Sequence, residues 1–270
     1  MQRSARMGNQ SLPLYLASLN SGSNGNCYYI GNEEDSVLID AGISRRETIR
    51  RMNRLGLAIE RVRAIFISHE HGDHIRGVEV LSRKHGIPVY MTSSTYLGSR
   101  RRPDPEFLRP LVALEPVEIG SLTVLSFSKQ HDGIDPCSFT VSSNGLTAGV
   151  FTDIGRVCDR VIRYFSRCHA AFLESNYDET MLMEGRYPVY LKQRINGERG
   201  HLSNDQALEL FIAHRAPFLQ LLVLSHLSAI NNRPEIVSGL FAPHANGTQI
   251  TIASRYRESE VYSIRDSGLR

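Results

Sequence analysis

The stretch Ser68-His69-Glu70-His71-Gly72-Asp73-His74 sets three imidazoles and two carboxylates within seven consecutive residues. It follows an apolar run over residues 62–67, whose length and Val/Ile/Phe content suit a buried strand. A helical pattern over residues 74–85 comes next and ends at Gly86. The motif therefore sits on a strand-to-helix turn. Buried polar rings need partners, and a metal ion satisfies several at once. His69 and His71 are two residues apart, so an extended or turning backbone can aim both at one ion. Asp73 and His74 lie on the tighter turn beyond and can face a second. Imidazole and carboxylate suit zinc or manganese, with iron also possible. Two such ions, roughly 3.5–4 Å apart, can share a bridging hydroxide, activate it near neutral pH and neutralise charge developing on phosphorus or carbon.

Such a centre needs further ligands at the ends of other strands. His131 follows a strand pattern over residues 122–127, Asp153 one over 146–151 and His226 one over 221–224. Asp40 ends the run over 37–39. It is placed either to accept the far N–H of a ligating histidine or to serve as a plain turn carboxylate. Further strands are read at 14–19, 27–30, 87–91, 139–142 and 171–174, with a final one at 249–253. Asn144-Gly145 signals a hairpin between 139–142 and 146–151. Ser44 with Glu47, and Ser203 with Gln206, read as capping boxes opening helices. The first ends near Gly56 and the second near residue 214. Another helix is expected over 157–167, and Pro234 suits a helical N1 position. Strands followed by mixed strands and helices, twice over, predict an α/β (α+β) fold. Two mixed β-sheets pack face to face with helices outside, a four-layer αββα sandwich. A single domain is expected over residues 12–270, after a flexible tail over 1–11.

A chain of 270 residues buries a core without disulfides or a structural metal. Its 41% hydrophobic and 22% charged content is ordinary for a globular protein. The net charge of +3 is too small to argue for nucleic acid by itself. Lysine occurs only at Lys84, Lys129 and Lys192 among the 31 basic residues. Arginine grips phosphate bidentately, although genomic base composition produces the same bias. Cys27, Cys137, Cys158 and Cys168 form no CxxC pair, so a reducing compartment is expected. No apolar run is long enough for a signal peptide core or a bilayer span. The expectation is a soluble, cytoplasmic protein with no membrane partner; its oligomeric state is not legible.

The set His69-x-His71-x-Asp73-His74, His131, Asp153 and His226 resembles the five signature motifs of the metallo-β-lactamase superfamily, across nearly the whole chain. The resemblance implies that His69, His71 and His131 hold one metal, that Asp73, His74 and His226 hold a second, and that Asp153 bridges both. Within the superfamily, Ser21-Gly22-Ser23-Asn24-Gly25-Asn26-Cys27 resembles the opening of the YycJ/WalJ-like subfamily, regarded as DNA exonucleases. Val37-Leu38-Ile39-Asp40-Ala41-Gly42, Glu174-Ser175-Asn176-Tyr177-Asp178, Gly200-His201-Leu202-Ser203-Asn204 and Leu224-Ser225-His226-Leu227-Ser228 are similar to it as well. Glu174, His201-x-Ser203 and His226 together are also similar to ribonuclease Z, where the matching Glu and His assist proton transfer to the leaving oxygen. The long exosite arm of that enzyme is not evident, and the interval from Asp153 to His226 is too short for the inserted domain of the β-CASP nucleases.

The reaction implied is metal-dependent hydrolysis of a nucleic-acid phosphodiester, with DNA exonuclease activity preferred. Asp73, His201 and Glu174 form the candidate catalytic set. His201 would supply the leaving oxygen's proton, with Glu174 orienting or charging its ring. Ser203 at a helix N-cap, with Lys192, Arg194 and Arg199 just before His201, would contact the phosphate backbone, and Tyr187 and Tyr190 lie among them. Arg100, Arg101, Arg102 and Arg109 form a second basic segment, with a solvated surface as the plainer explanation. His85, His169, His214 and His244 show no partner pattern. The same ligand set serves cyclic phosphodiester, thioester and lactam hydrolysis, and a non-catalytic nucleic-acid binding module is the alternative outside enzymes.

Overall fold

The computed structural model describes residues 12–266, so the tail expected over residues 1–11 lies outside the described residues. In chain order the strands are β1 (Leu14–Asn20), β2 (Cys27–Gly31), β3 (Ser36–Ile39), β4 (Val62–Phe66), β5 (Val89–Met91) and β6 (Leu108–Pro110), followed by β7 (Pro116–Ile119), β8 (Leu122–Ser128), β9 (Cys137–Ser143), β10 (Leu146–Phe151), β11 (Ala170–Glu174), β12 (Leu221–Ser225), β13 (Gln249–Ile252) and β14 (Tyr262–Ile264). They form two seven-stranded sheets, ordered β14-β1-β2-β3-β4-β5-β6 and β13-β12-β11-β10-β9-β8-β7. In each sheet an antiparallel part passes into a parallel part, at β3-β4-β5-β6 and at β10-β11-β12-β13. The helices are α1 (Arg45–Arg54), α2 (Gly72–Ile75), α3 (Val78–His85), α4 (Ser93–Gly98), α5 (Asp159–Phe165), α6 (Glu179–Glu184), α7 (Val189–Ile195), α8 (Asn204–His214) and α9 (Pro234–Phe241).

The burial pattern explains the layers. Every residue of β2, β3, β11 and β12 is buried, as central strands covered on both faces require. Leu16, Tyr28, Ile30 and Phe66 of one sheet meet Val124, Phe139, Phe172 and Val223 of the other between the sheets. The outer faces pack against helices. Leu38, Ile65 and Met91 lie with Met52 and Leu81, while Phe151, Leu173 and Leu224 lie with Phe165, Phe211 and Phe241. This is the expected four-layer sandwich. Among the described residues no helix is long and apolar enough to cross a membrane.

Local signals fared unevenly. Asn144 and Gly145 take φ of 50° and 80°, as a two-residue hairpin demands. The Ser203–Gln206 capping box is complete, and Pro234 begins α9. Ser44 caps α1, but Glu47 completes no box there, because Arg50 and Arg51 hold its carboxylate at 2.5 and 2.6 Å. The helix expected over 74–85 is two helices, α2 and α3. At the break, a Cβ on Gly77 would stand 2.0 Å from the Ile43 carbonyl oxygen, and the Gly77 amide donates to Ala41 O. The chain after β3 thus presses on the helix line and interrupts it. The strand over 249–253 is not the last, since β14 returns to pair antiparallel with β1. The short elements α4, α6, α7, β6 and β7 were not foreseen. They are too brief for a period to show.

Candidate metal centre

The expected metal ligands, with Asp40 and Glu174, follow or end strands, whereas His201 lies between α7 and α8. Asp40 follows β3, His69 to His74 follow β4, His131 follows β8, Asp153 follows β10, Glu174 ends β11 and His226 follows β12. Asp40, Asp153 and His226 have left-handed backbones, with φ of 62°, 54° and 58°. That conformation costs a non-glycine residue about 1 kcal/mol or more and persists only where its surroundings over-determine it. Here it reverses the chain at the strand end and turns the side chain into the cluster. The close fit extends to the backbone: a Cβ on Gly42 would lie 1.6 Å from the Asp73 carbonyl oxygen.

The expected seven ligands converge. Ligand atoms of His69, His71 and His131 form one group within 4.8 Å of each other, and those of Asp73, His74 and His226 form another within the same limit. Asp153 touches both, with Oδ1 3.8 Å from His131 Nε2 and 3.6 Å from His226 Nε2. His69, His74, His131, Asp153 and His226 are all buried. His131 Nε2, His226 Nε2 and Asp153 Oδ2 have no hydrogen-bond partner, although Asp153 Oδ2 lies 3.2 Å from His74 Nε2 without the alignment for one. A buried orphan polar atom costs about 1–3 kcal/mol. Three converging on one volume, among nitrogen and oxygen donors only, fit divalent metal.

The partners behind these rings are equally specific. Asp40 Oδ2 accepts from His74 Nδ1 at 2.7 Å, while its two oxygens accept the Ser68 amide and hydroxyl at 2.8 and 2.9 Å. Gly200 O accepts from His131 Nδ1 at 3.0 Å. Glu174 Oε1 accepts from His201 Nδ1 at 2.8 Å and His226 Nδ1 at 2.9 Å, and its Oε2 accepts the Ile154 amide at 2.6 Å. Such bonds fix ring tautomer and direction.

Charge follows burial and these neighbours. Burial lowers His131 to about 4 against the pull of Asp153, and holds His69 well below the ordinary histidine range. Burial would also lower His226, but Asp153, nearby Asp73 and the hydrogen bond to Glu174 lift it to about 10. Burial would raise Glu174, yet His201 and His226 bring it down to about 2. Burial likewise opposes the charge on Asp153, and His226 and His74 outweigh it. Protons on imidazole thus balance the carboxylates. A bound divalent cation displaces them, because imidazole ligates in its neutral form.

The proposed substrate contacts are placed differently. Ser203 is fully buried; its hydroxyl accepts the Gln206 amide, and its own amide donates to Gln206 Oε1. Its amide and its hydroxyl oxygen are both engaged in the cap. Lys192 donates to Met183 O, Arg199 to His131 O and Gly133 O, and Arg194 pairs with Asp132 at 2.6 Å. All three serve the loops around the site. Arg102 and Arg109 donate to nearby backbone carbonyls, while Arg100 and Arg101 are exposed. Cys27 and Cys137 are buried with burial-raised thiols, Cys137 to about 11, so neither is a nucleophile.

Two groups escaped the sequence reading. Asp132 Oδ1 lies 3.3 Å from His131 Nε2 and 3.5 Å from His71 Nε2. Its adjacency to His131 was the available signal. Asn26 Nδ2 lies 3.1 Å from His74 Nε2 and 3.4 Å from Asp73 Oδ2, carried by the Ser/Gly/Asn loop.

Comparison with known proteins agrees with this geometry. The β-lactamase superfamily domain matches residues 35–226. The chain is 34% identical over 228 residues to exodeoxyribonuclease YycJ of Bacillus anthracis, covering 83% of this chain and 86% of that one. It is 32% identical over 226 residues to exodeoxyribonuclease WalJ of Streptococcus pneumoniae serotype 2, covering 81% and 83%. Among solved structures, the metallo-β-lactamase fold protein YhfI of Bacillus subtilis superposes with a TM-score of 0.71 at 14% identity, over 94% of this chain and 100% of that one. The chain belongs to the metallo-β-lactamase superfamily, with the YycJ and WalJ exonucleases among its relatives.

Proposed function

We propose that this protein is a divalent-metal-dependent phosphodiesterase that degrades DNA from an end, built as one catalytic unit over residues 12–270. His69, His71 and His131 hold one ion, Asp73, His74 and His226 a second, and Asp153 contacts both. Zinc and manganese suit the donors, and iron is compatible. Bound there, the ions supply an activated water and neutralise charge on phosphorus. One observation carries the phosphodiester reading: His201 stands beside the metal cluster, its Nδ1 3.7 Å from Asp153 Oδ1 and 2.8 Å from Glu174 Oε1. Glu174 is fully buried, whereas the His201 side chain is 22% exposed. Glu174 thus fixes the ring, and the outward nitrogen can deliver a proton to a departing alkoxide. A thiolate leaves unaided. The exodeoxyribonuclease names of the relatives support DNA as the substrate. Four cysteines without a disulfide support a reducing, cytoplasmic setting.

The test pairs metal analysis with a digestion series on end-labelled DNA and RNA, using Asp73→Ala as the inactive control. Bis-p-nitrophenyl phosphate, nitrocefin and S-lactoylglutathione are assayed alongside with zinc or manganese. The expected result is metal-dependent loss of DNA from an end, with turnover of the diester. Turnover confined to nitrocefin or the thioester would overturn the nuclease reading. DNA binding without turnover under either metal would make the protein a binding module.

A further inference from the structure

A second cleft, of about 290 Å³, opens next to the metal centre between the loop after β12 and the loop after β13. Ser21, Ser228, Asn232, Arg255, Tyr256 and Arg257 are among its lining residues. The two sites share a wall, because Ser21 Oγ accepts the His226 amide at 2.8 Å. The loop after β13 is pinned through its backbone. Ser254 O accepts from Ser21 N at 3.2 Å, Arg255 O from Asn24 Nδ2 at 2.7 Å and Tyr256 O from Arg51 Nη2 at 3.2 Å.

Three consecutive side chains of that loop, at Arg255, Tyr256 and Arg257, are not tied into the fold by ion pairs among the described residues. Arg255 Nη1 is shielded from solvent and has no hydrogen-bond partner. Its guanidinium lies 5.9 Å from the centroid of the Tyr256 ring, and Tyr256 is 77% exposed. Arg257 forms no ion pair among the described residues, while the neighbouring Glu258 is held by Arg54 at 3.5 Å and Arg51 at 3.9 Å. A loop pinned through its backbone thus presents an unpartnered guanidinium and an open aromatic face at a cleft that Leu227, Pro234 and Ile252 also line. Guanidinium takes phosphate, and an exposed ring stacks on an unpaired base. The other basic surface, around Tyr190 on α7, has its cations engaged by Met183 O, Asp132 and His131 O.

We propose that this cleft binds a nucleotide of a single strand adjacent to the scissile diester, its phosphate on Arg255 and its base on Tyr256. The proposal rests on the nuclease reading of the metal centre. It gives the strand a fixed footing beside His226 and makes a long substrate better than a small diester.

The metal-loaded protein is irradiated with a phosphorothioate-linked oligonucleotide carrying 5-iododeoxyuridine, and the cross-linked peptide is sequenced. Attachment at Tyr256 is expected; attachment at Tyr187 or Tyr190 would overturn the proposal. Tyr256→Ala and Arg255→Gln are then compared with the unaltered protein on a DNA oligonucleotide and on bis-p-nitrophenyl phosphate. The ratio of the two kcat/KM values should fall about tenfold or more, through KM for DNA, and Arg255→Gln should lessen its salt dependence. An unchanged ratio refutes the cleft and leaves the nuclease reading standing. Hydrolysis of the small diester by the unaltered protein, with neither cutting nor cross-linking of DNA, refutes the nuclease reading and the cleft with it.

Discussion

At the residue scale, Asp40 shows how much one carboxylate organises. It accepts from the fully buried His74 ring and from both donors of Ser68, so it fixes a proposed ligand and the turn that carries His69. Asp40→Ala should lower metal affinity about 10–100-fold, read by competition against a fluorescent chelator. Unchanged affinity would leave Asp40 a purely structural turn residue. His201 is the complementary test. Loss of a positioned proton donor lowers kcat about 10²–10⁴-fold, so His201→Ala should do so with metal content intact by elemental analysis. Its ligand atom also falls within one group with those of Asp153, Glu174 and His226. Loss of bound metal in His201→Ala would therefore move it from proton donor to ligand. The clustering of His69, His71, Asp73 and His74 was legible because one short segment holds donors of the right chemistry at usable spacing. Asp132 was not, since an acid beside a histidine is common and its approach to His71 is a matter of loop geometry.

At the element scale, strand ends and caps do the positioning. The two parallel segments deliver Asp40, His69, Asp153, Glu174 and His226 from the carboxyl ends of β3, β4, β10, β11 and β12, where ligand sites of α/β sheets gather. The cap of α8 was legible in the sequence, and its geometry bears on the substrate contact expected of Ser203. Ser203–Gln206 is a complete box, and Ser203 is buried within it. Ser203→Ala should cost about 1 kcal/mol in chemical denaturation and leave KM for DNA nearly unchanged. A large rise in KM would restore it as a contact. The break between α2 and α3 could not be seen locally, because Gly77 yields to the carbonyl of Ile43 rather than to its own helix.

At the scale of the whole molecule, the metal centre draws on both sheets. His69, His71, Asp73 and His74 come from the first, and His131, Asp153 and His226 from the second. Ions bound there would clip the halves together and relieve the orphaned atoms of His131, Asp153 and His226. Ligand at 100 times its Kd stabilises by about 2.7 kcal/mol per site. Chelation should therefore lower Tm by roughly 5–10 °C for one site in a chain of this size, measured by calorimetry with and without added zinc or manganese. A Tm indifferent to chelator would mean that the cluster closes without metal. The residue sequence alone determined the sandwich and the seven converging donors, because periodicity and side-chain chemistry are local properties. Only the tertiary structure decided that Lys192, Arg194 and Arg199 bond to neighbouring loops, that Glu174 serves two histidines at once, and that Arg255 and Tyr256 line a cleft that shares Ser21 with His226. Those facts depend on strand order, which brings together residues far apart in the chain and leaves no trace in the local pattern.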